Sequence, residues 1–364
     1  MTELYILDSA FNVIGVVDEF ISLIWTRRYY DCGSYELYLP AERFELLEQG
    51  EYLYRAETQE AALIERRAFE RDENGGGRAI ASGRMLEALL ARRTIPALTE
   101  LSGNAETVLR TLVSDNAITP EARRIDALEL GDESGVGGEV SVQLLGENLL
   151  EAIYSICAEQ ELSARISLDY LTNRLRFTVW QGLDRTMSQT ANSWAIFSDD
   201  FENISSSGYE RDETDWFNFA YVHGVADDDS EVEVTVDNRG EGEALRELYV
   251  DAKGVKQKVD GAVMSLDDFK ALLRQEGLEA LAEYAPVDAV DGCIGGGGSL
   301  IYGQDFGLGD LCEYVDHEVG IAAQGRITEV TETFENNAVT VEAVLGEGAL
   351  NIMQKIKRRE KVRK

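Results

Sequence analysis

Short apolar segments that alternate in period two and stop at turn residues constrain this chain most, because side chains pointing in turn to two faces build sheets. Leu4–Leu7, Val13–Val17, 21–26 and 35–39 fit the pattern; Cys32, Gly33 and Ser34 turn the last pair, and Pro40 ends the run. A short amphipathic helix is predicted over 41–49, with Phe44, Leu46 and Leu47 near one face and Gly50 closing it. Strands resume at 52–56 and 61–69. The loop 71–77, with Asn74-Gly75 and two more glycines, turns a hairpin back into 78–82. No Lys-Ser/Thr follows these glycines, so they are a poor phosphate cradle.

At 85–92, 104–114 and 148–160 the period becomes 3.6, and Leu149, Ile153 and Ile156 make the buried stripe of the third helix. An α/β insert is therefore expected to interrupt the strands, completed by a hairpin of 163–168 and 175–180 turning at 169–174. Strand character returns at 194–197, 217–222 and 231–236, the last with acids at alternate positions and hence one wet face. A helix at 265–284 opens on a Ser265 cap with Asp267 and Asp268 at its positive dipole end, and Pro286 follows it. Strands at 300–302, 311–315, 325–334 and 338–345, the last two joined at Glu335, Asn336 and Asn337, suggest a small barrel or sandwich. No internal repeat of fixed period is visible.

The 364 residues, 44% of them hydrophobic, are ample for two or three packed units. No apolar run is long enough for a membrane span, and the opening residues lack the basic and apolar regions of a secretory signal, so the chain is expected in the cytosol or inside an assembly that leaves it. Cys32, Cys157, Cys293 and Cys312 stand far apart without a CxxC pair, and read as reduced packing residues rather than a disulfide framework or zinc knuckle. Sixty-eight acids against 34 bases give a net charge of -34, which repels phosphate and argues against sequence-specific DNA binding. In the last ten residues, however, Lys355, Lys357, Arg358, Arg359, Lys361, Arg363 and Lys364 oppose only Glu360. This basic C-terminal tail is either a solvated terminus or an electrostatic hook for an acidic neighbour.

Signals for catalysis are weak. A two-histidine metal site would need His223 and His317 to converge from distant segments, and neither a GxSxG elbow nor an HExxH helix is present. Acids cluster at Asp199-Asp200, 212–215 and 227–229, in the manner of a glycosidase pair or a calcium loop, but the glycine and glutamate spacing of a calcium loop is missing, and solvated turns explain them. The glycine run 295–298 before Ser299 reads as a joint into the final strands. Trp25, Thr26, Arg27, Arg28, Tyr29 and Tyr30 mix rings with guanidinium groups; in so acidic a chain they read as a protein interface or as an ordinary strand end, not as a base-stacking platform.

The residues also carry a family likeness. The stretches 22–29, 33–37 and Leu39-Pro40 resemble the opening signature of the siphophage tail hub (baseplate hub, Gp37-like tail protein) family, and 83–86, Leu89-Leu90, Arg92-Arg93, 107–113 and 124–130 resemble its next blocks. The central blocks are matched by 146–150 and 181–186 and continue through Phe197-Ser198, Tyr209, Asn218, Val222 and Gly224; Tyr302-Gly303, 308–310 and 326–330 close the series.

The resemblance implies a β-rich α+β fold of small β-barrel hub domains with α/β insertions, and a non-enzymatic structural subunit forming a ring that joins the tail tube to the distal tip and lets DNA pass. It implies a homotrimer whose paired barrels mimic a six-fold ring, with a distal tail or tail-tube protein, a tape-measure protein and tip or receptor-binding proteins as partners. DNA would pass without specific binding, and no cofactor, metal or membrane insertion is expected. The location it implies is the virion tail, assembled in the host cytoplasm. On this reading 1–96 is a first barrel-like domain, 97–190 an α/β insert, 191–350 a second β-rich domain carrying the helix 265–284, and 351–364 the basic tail. Trp25, Arg27, Arg28, Tyr29, Tyr30, Lys357, Arg358 and Arg359 are the expected assembly interface. The acidic middle, the loop 227–229 and the basic tail depart from the signature. A tail-associated cell-wall hydrolase, or a host-receptor adhesin with Trp194 or Trp216 exposed in a sugar groove, are the alternatives.

Overall fold

A computed structural model describes residues 2–346 apart from 72–75, 202, 204–205, 241, 260–261, 295–299 and 337. It is a β-rich α+β chain in two compact units: Met1–Gly208 with Val290–Gly346, and Tyr209–Ala289 placed between those segments in sequence.

The strands, in chain order, are β1 Leu4–Leu7, β2 Val13–Val17, β3 Ser22–Arg28, β4 Ser34–Pro40, β5 Tyr52–Arg55, β6 Glu60–Leu63, β7 Arg66–Arg71 and β8 Gly77–Arg84. Next come β9 Thr99–Asn104, β10 Leu128–Leu130, β11 Glu139–Leu144, β12 Ser163–Asp169, β13 Arg174–Trp180, β14 Ile196–Ser198 and β15 Ser206–Asp212. The remainder are β16 Phe219–Val225, β17 Glu231–Asp237, β18 Glu247–Asp251, β19 Lys258–Val259, β20 Ala262–Val263, β21 Val287–Ile294, β22 Leu311–Asp316, β23 Ile321–Glu335 and β24 Ala338–Gly346. Four α-helices accompany them among the described residues: α1 Phe44–Gln49, α2 Ala105–Val113, α3 Leu149–Glu159 and α4 Leu266–Glu283.

In the first unit a long antiparallel sheet passes through β24, β23, β3, β4, β8 and β7, and a second sheet runs β2-β1-β5-β6. Strict alternation places Tyr35, Leu37 and Leu39 of β4 in the core beside Leu23 and Trp25 of β3. The apolar run 61–69, expected as one strand, is two. β6 pairs with β5 while β7 pairs with β8, because the chain turns a corner at Ile64 and Glu65 from one sheet to the other. Gly83 makes the corner feasible: a Cβ there would stand 1.9 Å from the Leu63 carbonyl oxygen.

Within 97–190 the expected hairpin and two of the expected helices are present. β12 and β13 form the hairpin, β10 joins β13 in parallel, and α2 and α3 bury Leu109, Leu112, Leu149, Ile153 and Ile156. Asn104 and Asn148 cap the two helices through their side-chain oxygens. The expected helix 85–92 is instead a tight 3₁₀ turn, Leu86–Arg92, whose residues from Leu86 to Leu90 are all buried; surrounded by protein, it has no wet face to sustain an amphipathic α-helix.

In the second unit β16 lies between β17 and β18. One face of this sheet buries Ala220, Val222, Val232, Val234 and Leu248 with Phe269, Leu273 and Leu281 of α4. The predicted wet face of β17 is present, with Glu231, Glu233, Thr235 and Asp237 all exposed.

Candidate functional site

The stretch 25–30 divides by burial. Trp25 and Tyr29 are fully buried within the chain. Trp25 donates its indole N–H to Glu60 at 3.2 Å, while the Tyr29 hydroxyl donates to the Glu161 carbonyl at 3.0 Å and accepts from the Gly182 amide at 3.2 Å. Arg27 donates to Glu60 at 2.6 Å and to Glu332 at 2.5 Å, and Arg55, 4% exposed, grips Glu332 from another side at 2.5 Å. Burial by itself would lower the Arg27 pKa; Glu60 first, then Glu332, reverse that and hold it above the ordinary value. Burial likewise opposes ionisation of Glu332, and Arg55 and Arg27 outweigh it, leaving the carboxyl below its usual range. Arg28, its side chain a third exposed, and Tyr30 are more open than Trp25 and Tyr29: Arg28 bonds Glu329 at 2.7 Å, and burial pushes the Tyr30 phenol up to about 12. Lys357, Arg358 and Arg359 lie outside the described residues, as does the glycine run 295–298.

Beside this cluster opens a cavity of about 450 Å³, lined among others by Arg27, Glu60, Glu87, Tyr154, Trp180 and Tyr302. Its carboxylates are already engaged. Glu60 serves Trp25, Arg27 and Thr58, and Glu87 accepts from the Ile166 amide at 2.7 Å. Burial pushes the Glu87 carboxyl up to about 7, although the Ile166 N–H pulls the other way. A carboxyl fixed by the backbone of a neighbouring strand suits a packed core better than proton exchange with a substrate. Sequence reasoning missed Glu60, Glu87, Arg55 and Glu332, since nothing local distinguishes them from the other acids and bases.

Several signature blocks meet at one place. Arg185 pairs with Asp310 at 2.6 Å, and Asp310 also accepts from the amides of Leu183 at 2.8 Å and Gly307 at 2.9 Å. Arg326 donates to the Gly309 carbonyl at 2.6 Å and lies 5.6 Å from the Tyr29 ring centroid, while Tyr29 stacks edge-on to Trp180. Backbones nearly touch here, because a Cβ on Gly182 would stand 1.9 Å from the Gly309 oxygen. The blocks at 22–29, 181–186, 308–310 and 326–330 thus tie the ends of β3 and β13 and the start of β22 to the middle of β23.

Elsewhere, His317 stands 3.3 Å from Asp199 and 3.2 Å from Asp200, all three exposed, an arrangement that solvated polar contact explains. His223 lies on β16 with its ring 6.3 Å from that of Tyr249. Cys32, Cys157 and Cys312 are buried free thiols, with burial pushing Cys157 and Cys312 up to about 12. Trp194 is half exposed, and the Arg246 guanidinium covers the Trp216 ring at 4.7 Å.

A family model described as Siphovirus ReqiPepy6 Gp37-like protein matches residues 3–347. No curated protein sequence matches the chain. Among solved structures, the fold is similar to a tail protein from Neisseria meningitidis MC58, with 15% identity, a TM-score of 0.61 and coverage of 95% of this chain and 97% of that one. It is also similar to prophage tail protein gp18 from Listeria monocytogenes EGD-e, at 12% identity and a TM-score of 0.56 over 100% and 99% of the two chains. The 43 kDa tail protein of prophage MuSo2 from Shewanella oneidensis gives 12% identity and 0.55 over 95% and 98%. At such identities these likenesses speak for the fold alone.

Proposed function

The chain belongs to the Siphovirus ReqiPepy6 Gp37-like protein family, and on that premise we propose that it is a structural, non-catalytic subunit of a siphophage tail hub, forming a ring between tail tube and distal tip. The observation that carries this reading is the family match from residue 3 to residue 347, which leaves little of the described chain outside a phage tail protein. Sheet edges support it. β2 and β7 end their sheets, and Val13, Val16 and Phe69 on them are more than two-fifths exposed. Open apolar edges invite pairing, and a closed cyclic assembly satisfies them without runaway growth.

In this proposal three copies close the ring, barrel-like units pair across subunits, and tail-tube, tape-measure and tip proteins bind its two ends. Arg28 and Tyr30 supply what the stretch 25–30 offers to a neighbour, since Trp25, Arg27 and Tyr29 are committed inside the chain. A net charge of -34 makes the channel wall repel the DNA backbone, so the genome slides without sticking. Mass measurement by light scattering at micromolar concentration tests the ring: a trimer is expected, and a persistent monomer overturns it. Gold labelling of the chain in intact particles is expected to mark the junction below the tail tube; label confined to the fibre tips would instead favour an adhesin.

A further inference from the structure

Among the described residues of the second unit, α4 covers one sheet face and the other is partly open. α4 packs against the apolar face, while the opposite face of β17-β16-β18 presents a central column of Phe219, Tyr221 and His223. Register sets Asp237 and Glu247 on either side of Phe219, Thr235 and Tyr249 beside Tyr221, and Glu233 and Asp251 beside His223, with Glu231 next to Val225. Phe219 and Tyr221 contact edge-on at 5.1 Å, and Tyr249 is 62% exposed. Five carboxylates therefore frame an aromatic strip, against two local cations, Arg239 and Lys253.

Arg239 indicates what such a strip accepts. Its guanidinium sits 6.0 Å from the Phe219 ring centroid while gripping Asp237 at 2.6 Å, the combination of ring face and carboxylate that favours planar or compact cations. That leaves Glu231 and Glu233 with Tyr249 facing a further basic group, and Glu247 with one oxygen beyond the bond it accepts from the Tyr221 hydroxyl at 3.0 Å. Copies of a chain with net charge -34 repel one another, so contact between them needs local complementarity. The chain concentrates positive charge in 355–364, where seven lysines and arginines oppose one glutamate.

We propose that this acidic, aromatic sheet face is the docking site for the basic segment 355–364 of a second copy. This rests on the ring reading above and deepens it, giving adjacent subunits a head-to-tail contact that closes under rotation. Each exposed charge pair contributes little by itself, and reversing three acids together weakens the contact about tenfold.

Zero-length carbodiimide cross-linking of a one-to-one mixture of unlabelled and ¹⁵N-labelled full-length chain tests it by mass spectrometry. Lys355, Lys357, Lys361 and Lys364 are expected to join Glu231, Glu233, Glu247 or Asp251 in mixed-isotope pairs. In the Glu231→Lys, Glu233→Lys, Glu247→Lys variant, which keeps Asp251 as acceptor, the mixed-isotope links to Asp251 fall about tenfold, while circular dichroism is unchanged. Links spread over other acids equally in both proteins, or found only within single copies, overturn the docking. Should the chain be trimeric without these links, the inference fails and the ring stands; a chain that stays monomeric sinks both.

Discussion

Replacing Glu87 with glutamine isolates the energetic consequence of one buried acid. Glutamine keeps the volume and the carbonyl that accepts from Ile166, and removes only the ionisable proton. In the unfolded chain the carboxyl titrates near 4.5, and in the fold at about 7. A gap of about 2.5 pH units at about 1.4 kcal/mol each amounts to about 3 kcal/mol. Because the folded value is the higher one, this stabilisation is complete below the unfolded value and is lost as pH rises through the folded one. The isoelectric point of about 4.4 invites precipitation at the acid end, so the useful window is about pH 5.5 to 8.5, which spans about 2 kcal/mol of the effect. Urea unfolding at fixed protein concentration, followed by tryptophan fluorescence, reads it out; Trp25, Trp180 and Trp194 all belong to the first unit. The variant is expected to gain about 2 kcal/mol relative to the parent between the two ends of the window. A difference flat to within about 0.5 kcal/mol would show that Glu87 is ionised and solvated in the fold, and the reasoning would fail.

Glu332→Gln leaves the buried Arg55 guanidinium with only the longer contact to Glu57 at 3.6 Å and is expected to cost about 3 kcal/mol in the same assay; a loss under about 1 kcal/mol would mean that water reaches the cluster. Glu106→Ala removes the carboxylate that accepts from the amides of Ser134, Gly135 and Val136, with an expected cost of about 2 kcal/mol and faster hydrogen exchange at those three amides. Gly182→Ala places a methyl against the Gly309 carbonyl, so a loss of about 3 kcal/mol or an insoluble chain is expected, whereas a variant as stable as the parent would show that the two backbones separate freely.

Local readings succeeded where a segment's own pattern decides its structure. The alternating acids of β17, the Ser265 cap of α4 and the hairpin of β12 and β13 are written in adjacent residues and stand as expected. Thr99–Asn104, Glu139–Leu144 and Glu247–Asp251 were not legible as strands, because they are short, carry polar residues and sit at the margins of small sheets. Three parallel pairings, β10 with β13, β14 with β22 and β16 with β18, also escaped, since period two marks which side of a strand faces inward and says nothing of its neighbour.

By itself, then, the order of residues determined the β-rich character, the positions of the long helices and most strands, and the family likeness, all of which depend on neighbours a few residues apart. Only tertiary structure decided that Arg27 and Arg55 meet Glu332 across separations of 305 and 277 residues, that Glu87 lies in the core, and that α4 covers one face of the second unit's sheet and not the other among the described residues of that unit. The physical reason is that burial and Coulomb energy depend on distances in space, and folding sets these by joining segments whose sequences carry no mark of each other.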